Sequence, residues 1–159
     1  MDRTVRTPPL DSDTALLTAK DVFADIVAGA APASVVYRDE RVMVFMDLQP
    51  INPGHVLITP LQPARFLAEL EPQVAAHLFV VAQRVAQAIR NSGLSGSGIN
   101  MFLADGASAG QEVPHVHLHV FPRLGDDGFG FTFPERYFTV LPERQELDEA
   151  ARMIAAALG

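Results

Sequence analysis

The sequence predicts an α+β fold: an antiparallel sheet of about five strands, one long helix and a shorter helix near the N-terminus. Three observations carry this. Short apolar stretches with period-two alternation recur between residues 35 and 122, separated by turns rich in Pro, Gly, Asn and Asp. One uninterrupted stretch, residues 72–91, keeps an apolar period of 3.6. Consecutive strands joined by short turns pair antiparallel, with helices segregated to one face, and no repeat or linker divides the 159 residues.

In chain order, residues 1–14 are polar and Pro-containing and read as a flexible arm, leaving one domain over 15–159. Val22, Phe23, Ile26 and Val27 recur at helical spacing, with Thr18 as N-cap and Gly29 near the end, which predicts a helix over about 19–28. Val35–Tyr37 and Arg41–Met46 read as a hairpin around Arg38-Asp39-Glu40. "HVLITP" is a third strand, reached through the turn "QPINPG". Pro72 opens the long helix, and Val74, Leu78, Val81, Val85 and Ile89 form its inner face. "SGINMFLA" is a fourth strand, "DGASAGQEV" a flexible loop and "PHVHLHVFP" a fifth strand. "RLGDDGFGFTFPERY" is irregular and "FTVLP" a short strand. A closing helix turns Leu147, Ala150, Ile154 and Leu158 inward.

Composition narrows the function classes. Hydrophobic residues make up 48% and charged residues 19%, as in a globular chain able to bury a core unaided. Without cysteine there are no disulfides, cysteine–zinc sites or thiol nucleophiles. The net charge is −7 and the twelve Lys and Arg are scattered, so polymeric nucleic acid is not an expected partner. A small anion can still be held by local dipoles. No apolar run reaches the ~18 residues of a membrane span. "MDRTVRTPPLDSDT" lacks the apolar centre of a secretion signal. The expectation is a cytoplasmic protein with no membrane partner.

The chemistry concentrates in "HVHLHVFPR", residues 115–123, which holds three of the five histidines. Strand alternation puts His115, His117 and His119 on one face, roughly 6.6 Å apart at their α-carbons, and Val116, Leu118 and Val120 on the other, under a helix. Three readings are open. A solvated strand face needs only hydrophilic residues and gives no reason for histidine. A zinc or copper site needs a further ligand, from His55 or a distant carboxylate. Catalysis uses imidazole as nucleophile and acid near neutral pH, and this reading is favoured.

"AGQEVPHVHLHVFPR" resembles the signature of the histidine triad (HIT) superfamily, in its Hint-like branch. "VFMDLQPINPGHVLITP", residues 44–60, resembles the family's first conserved block, and "DVFADIVAGAAPASVVYRDE" its N-terminal helix and first strand. The resemblance runs in register over about residues 21–123. It implies a homodimer with a continuous intersubunit sheet and a purine nucleotide as small-molecule partner, without a cofactor. It also implies hydrolysis or transfer at the α-phosphate of phosphoramidates or dinucleoside polyphosphates. By position, His117 would attack phosphorus, His119 would face the phosphate or leaving group, and His115 would orient the others, linked to His55. Gln111 and Gly110 would lie beside the phosphate and Asp47 would bind the ribose. Phe23, Ile26, Phe45, Leu48 and Val113 would form the slot for the base. A nucleotide-binding module with little turnover is the alternative.

The chain also departs from the family pattern. Ala104 stands where many members have an amide side chain near the phosphate, so Asp105 or a backbone group would have to substitute. Asp21 and Ala24 stand where many bacterial members have two zinc-binding cysteines, which implies no structural zinc here. Glu112 stands where some members have a serine that assists the leaving group. His77, on the long helix, reads as a surface residue without a role.

Overall fold

The β-branched residues of the short stretches build one sheet. The structure is a computed structural model and describes residues 12–94 and 96–159. Five strands, β1 (Val35–Arg38), β2 (Val42–Met46), β3 (Val56–Pro60), β4 (Gly98–Leu103) and β5 (Leu118–Arg123), pair antiparallel in the order β1-β2-β3-β5-β4. Two compact units are present, one ending at Asp127 and one comprising Gly128–Gly159.

Strand alternation divides the first unit's core between two faces. On one face Val42, Val44, Val56, Ile58, Val116, Leu118 and Val120 pack against α3 (Pro72–Asn91). That helix contributes Leu78, Val81, Ala82, Val85 and Ile89, the inner stripe expected from its period. On the opposite face Met43, Phe45 and Leu57 meet Phe23 and Ile26 of α2 (Val22–Val27). Helices thus cover both faces rather than one. β2 explains why: its residues 42–45 are all buried, so each of its faces needs a cover.

The N-terminal helix differs from expectation. Ser12–Thr18 forms α1, which ends at Thr18 instead of beginning there, and α2 follows after a break. The Thr18 hydroxyl donates back to the carbonyls of Thr14 and Ala15, within its own helix. The cap of α2 is Asp21, whose side chain accepts from the Ala24 amide at 2.9 Å. The expected arm therefore contains helical residues from Ser12 on; residues 1–11 lie outside the described residues.

In the second unit α4 (Arg136–Thr139) replaces the expected strand "FTVLP", and α5 (Arg144–Leu158) follows behind a capping box of Glu143 and Glu146. The stripe expected to face inward on α5 is exposed: Leu147, Ile154 and Leu158 are open to solvent. The helical period shows that this face is apolar without showing what covers it. No helix among the described residues is long and apolar enough to cross a membrane.

Candidate active site

The site occupies the sheet face opposite α3, beside α2. Only His119 of the triad lies within β5; His115 and His117 precede it on irregular chain. The expected alternation nevertheless holds. The His117 ring lies 4.9 Å from that of His119, and Phe23 presents an edge to His117 at 5.0 Å and to His115 at 6.3 Å. The intervening Val116 and Leu118 point into the core on the α3 side. Backbone contacts fix this passage: Val116 N–H donates to the Ala64 carbonyl at 2.7 Å, and the Thr59 hydroxyl donates to the Val116 carbonyl at 2.9 Å.

A solvated histidine face is excluded by burial. His115 is 0% exposed and His117 6%. Hydrogen bonds then assign the ring protons. The Ile51 amide donates to His55 Nδ1 at 3.1 Å, so the proton of neutral His55 sits on Nε2. His55 Nε2 meets His119 Nδ1 at 2.9 Å and donates to it, which leaves the His119 proton on Nε2. His117 is set the opposite way. Its Nδ1 donates to the His115 carbonyl at 2.7 Å, and its Nε2 carries a lone pair. The two neighbouring rings thus offer one lone pair and one N–H.

Electrostatics keep these rings neutral. Burial lowers the His117 pKa below its ordinary value; the bond to the His115 carbonyl opposes this and the charge of His115 adds to it. Burial, then His117 and His55, pull His119 down to about 4, against Asp47. His55 is lowered by burial, with Asp47 opposing.

Asp47 directly follows β2, and its carboxylate reaches the same face. Its Oδ1 accepts from the Gln49 amide at 2.8 Å, and its Oδ2 stands 3.5 Å from His55 Nε2 and 3.8 Å from His119 Nδ1. Asp47, His55 and His119 are the group of three metal-ligand types found together among the described residues. The proton pattern does not suit a cation there. Ligation by His55 Nε2 would move its proton to Nδ1, against the Ile51 N–H that faces it.

The loop before the triad is shaped by Gln111. Its side chain is buried, accepts from the Gly106 amide at 2.8 Å, and donates to the carbonyls of Arg65 and Val113 at 2.8 and 2.9 Å. These bonds leave the amide no further proton to donate, so Gln111 acts through the shape it gives the loop. Gly110 ends the turn Ala107–Ala109 with φ 90°, the left-handed conformation that favours glycine, and a Cβ there would meet nothing within 4 Å. Ala104 is buried and offers no donor, and Asp105 does not replace one: its Oδ1 accepts from the Leu67 amide at 2.9 Å.

Most of the expected base slot comes together. Phe23, Ile26 and Phe45 cluster, with Val113 packed against them. Leu48 does not join; it is 89% exposed, because the turn after Asp47 carries it away from the sheet. Nor is His55 linked to His115, as expected; it contacts His119 instead, since β3 pairs Leu57 with His119 and sets His55 beside that ring. The partner of His115 is Asp21, at 2.9 Å. An aspartate just before an apolar helical stretch is a cap signal, and that signal could have located Asp21. His77 pairs with Asp39 at 2.7 Å, far along the sequence from the triad. A cavity of about 330 Å³ lined by Leu17, Asp21, Arg65 and Glu69 among others lies at the side of Asp21, and neither His117 nor His119 borders it.

The model of the HIT domain family matches residues 28–126. The chain belongs to the HIT family. A HIT-family protein from Bacillus subtilis has a crystal structure that superposes with a TM-score of 0.79 at 31% identity, covering 89% of this chain and 99% of that one. A zinc-bound histidine triad protein from Mycobacterium smegmatis is 37% identical, with a TM-score of 0.66, over 86% of this chain and 94% of that one. The asymmetrical bis(5'-nucleosyl)-tetraphosphatase of Schizosaccharomyces pombe is 41% identical over 95 residues, 60% of this chain and 52% of that one. The family therefore includes hydrolases of nucleotides. In this HIT protein Asp21 is committed to His115 and to the cap of α2, and Ala24 has no ligand atom.

Proposed function

We propose that this HIT protein is a nucleotide hydrolase or transferase that attacks the α-phosphate of purine nucleoside phosphoramidates or dinucleoside polyphosphates through a nucleotidyl-His117 intermediate. The observation that carries the reading is the opposite tautomers of His117 and His119, side by side on one face. The His117 Nε2 lone pair attacks phosphorus, a P–N bond to the ring forms, and the bond to the leaving group breaks. The leaving amine or phosphate takes its proton from solvent. Water then attacks the same phosphorus, the P–N bond to His117 breaks, and the water proton is released. In sum, hydroxyl ends on phosphorus and a proton on the leaving group. The His119 Nε2–H hydrogen-bonds a non-bridging oxygen, whose charge grows in the transition state, and the 106–111 backbone shapes the phosphate's surroundings.

In this reading Asp47 faces the ribose hydroxyls, and Phe23, Ile26, Phe45 and Val113 hold the base. An apolar slot discriminates weakly between adenine and guanine. The reading also includes a cytoplasmic location, where nucleotides are abundant, and a homodimer. Among the described residues β4 is an edge strand of the sheet, and Met101 and Phe102 on it are 42% and 41% exposed; pairing with a second copy would cover part of both.

The test is release of AMP from an AMP phosphoramidate, with acid quenching to trap the protein-bound nucleotide. Wild type should release AMP and show a labelled intermediate, and His117→Asn neither. Equal, slow release by both proteins would sink the nucleophile assignment. Ala104 and the committed Gln111 amide favour a second reading, a module that binds nucleotides with little turnover. It gives nucleotide binding in titration without a trapped intermediate.

A further inference from the structure

His115 is fully buried, yet both of its ring nitrogens face atoms that only accept. Nδ1 lies 3.1 and 2.9 Å from the two carboxylate oxygens of Asp21, and Nε2 lies 2.9 Å from the carbonyl of Pro60. A neutral imidazole has one N–H, so one of these contacts would set a lone pair against an oxygen in a site without water access from the ring. An imidazolium satisfies both with charge-assisted bonds. Asp21 is held independently, because Oδ1 also accepts from the Ala24 amide and caps α2. Beyond His115 the connection continues, since its own carbonyl accepts the His117 Nδ1 proton at 2.7 Å.

We propose that Asp21 is a positioning residue that holds His115 as a buried imidazolium and thereby fixes the carbonyl that sets the tautomer of His117. The proposal rests on the reading of His117 as nucleophile. It gives the pair two effects. The rigid Asp21–His115–Pro60 bridge ties the start of α2 to the end of β3, and the triad is locked where the two meet. A cation next to His117 also disfavours protonation of the nucleophile, in keeping with the lowering that His115 exerts on it. The other charged or titratable groups acting on His117 are Asp47, Glu112 and His119. Arg65 and Glu69 share the cavity at Asp21. Asp21 itself is 24% exposed on its side chain, so it connects the buried ring to solvent.

Full-length wild type, Asp21→Asn and Asp21→Glu test the proposal. Asparagine keeps an acceptor for the Ala24 amide and for His115 Nδ1–H but removes the charge. Nitrogen NMR of ring-labelled protein at pH 7.5 should show both His115 nitrogens protonated in wild type and one unprotonated in Asp21→Asn. With an AMP phosphoramidate, the acid limb of kcat against pH should move toward neutral by about one unit in Asp21→Asn, a loss of roughly tenfold on that limb with KM unchanged. Asp21→Glu should restore the limb in part. One protonated and one bare His115 nitrogen in wild type would overturn the proposal, even if the variants fail to fold. So would an Asp21→Asn protein with both signals and the acid limb in place. A wild type without turnover would instead sink the nucleophile reading, and the ring spectrum then decides on Asp21 by itself.

Discussion

Acid should destabilise the fold through the buried rings, and His119 allows the size to be worked out. Its pKa falls from 6.5 to about 4 on folding, because burial and the rings of His117 and His55 disfavour its charged form. Between those values the unfolded chain binds more protons than the folded one. The stability that His119 contributes is therefore complete above pH 6.5 and is lost as pH falls toward 4. Linkage gives a loss of about 2 kcal/mol at pH 5 and about 3 kcal/mol at pH 4 from this ring alone. These are upper figures, since its side chain is 20% exposed and solvent screens part of the effect. His117 and His55, lowered in the same direction, steepen the fall. Urea unfolding at pH 7.5 and pH 5 measures the loss, and His119→Asn isolates the ring's share. The variant should lose about 1–2 kcal/mol less than wild type between the two pH values. The same loss in both proteins would refute the burial argument.

Two further outcomes follow from other parts of the structure. Gln111→Ala removes three part-buried hydrogen bonds that hold the 106–113 loop, and should cost about 2–3 kcal/mol in urea unfolding; a loss under about 0.5 kcal/mol would mean that the loop is held by something else. Met101→Lys places a charge at the free edge of β4 and should halve the mass seen by light scattering. A wild type that is already a monomer would rule out the proposed sheet-to-sheet dimer.

Much of this was legible in the sequence, and the reasons are local. Residues 72–91 announce their helix because an apolar period of 3.6 over five turns admits no other element, and the structure has that helix at Pro72–Asn91. The shared face of the three histidines also follows from alternation, even though only His119 is in a regular strand. What escaped depends on distant partners. Thr18 and Asp21 are both good caps by residue type; the structure uses Asp21, and the helix it caps packs Phe23 and Ile26 onto Phe45. His55 gives no sign in the sequence of whether it meets His115 or His119; the register of β3 against β5 decides it. The apolar stripe of α5 reads as core in any single chain, yet Ile154 and Leu158 are 64% and 82% exposed, because a period shows that a face is apolar without showing what covers it.

The direction of the proton chain explains why histidine recurs at this site. The chain starts at a donor that cannot move, the Ile51 amide, and passes through His55 to His119, so His119 must end with an N–H outward. A second chain starts at an acceptor that cannot move, the His115 carbonyl, so His117 must end with a lone pair. Replacing His55 by a residue that cannot both accept and donate would release the His119 tautomer while leaving His117 set. Such a variant separates the two halves of the site: under the proposed mechanism, KM for an AMP phosphoramidate should rise while the protein-bound nucleotide can still be trapped. Imidazole alone among side chains accepts at one ring atom and donates at another, fixed distance away, near neutral pH. Two rings wired from opposite ends can therefore present complementary atoms, a lone pair and an N–H, side by side without either carrying a charge.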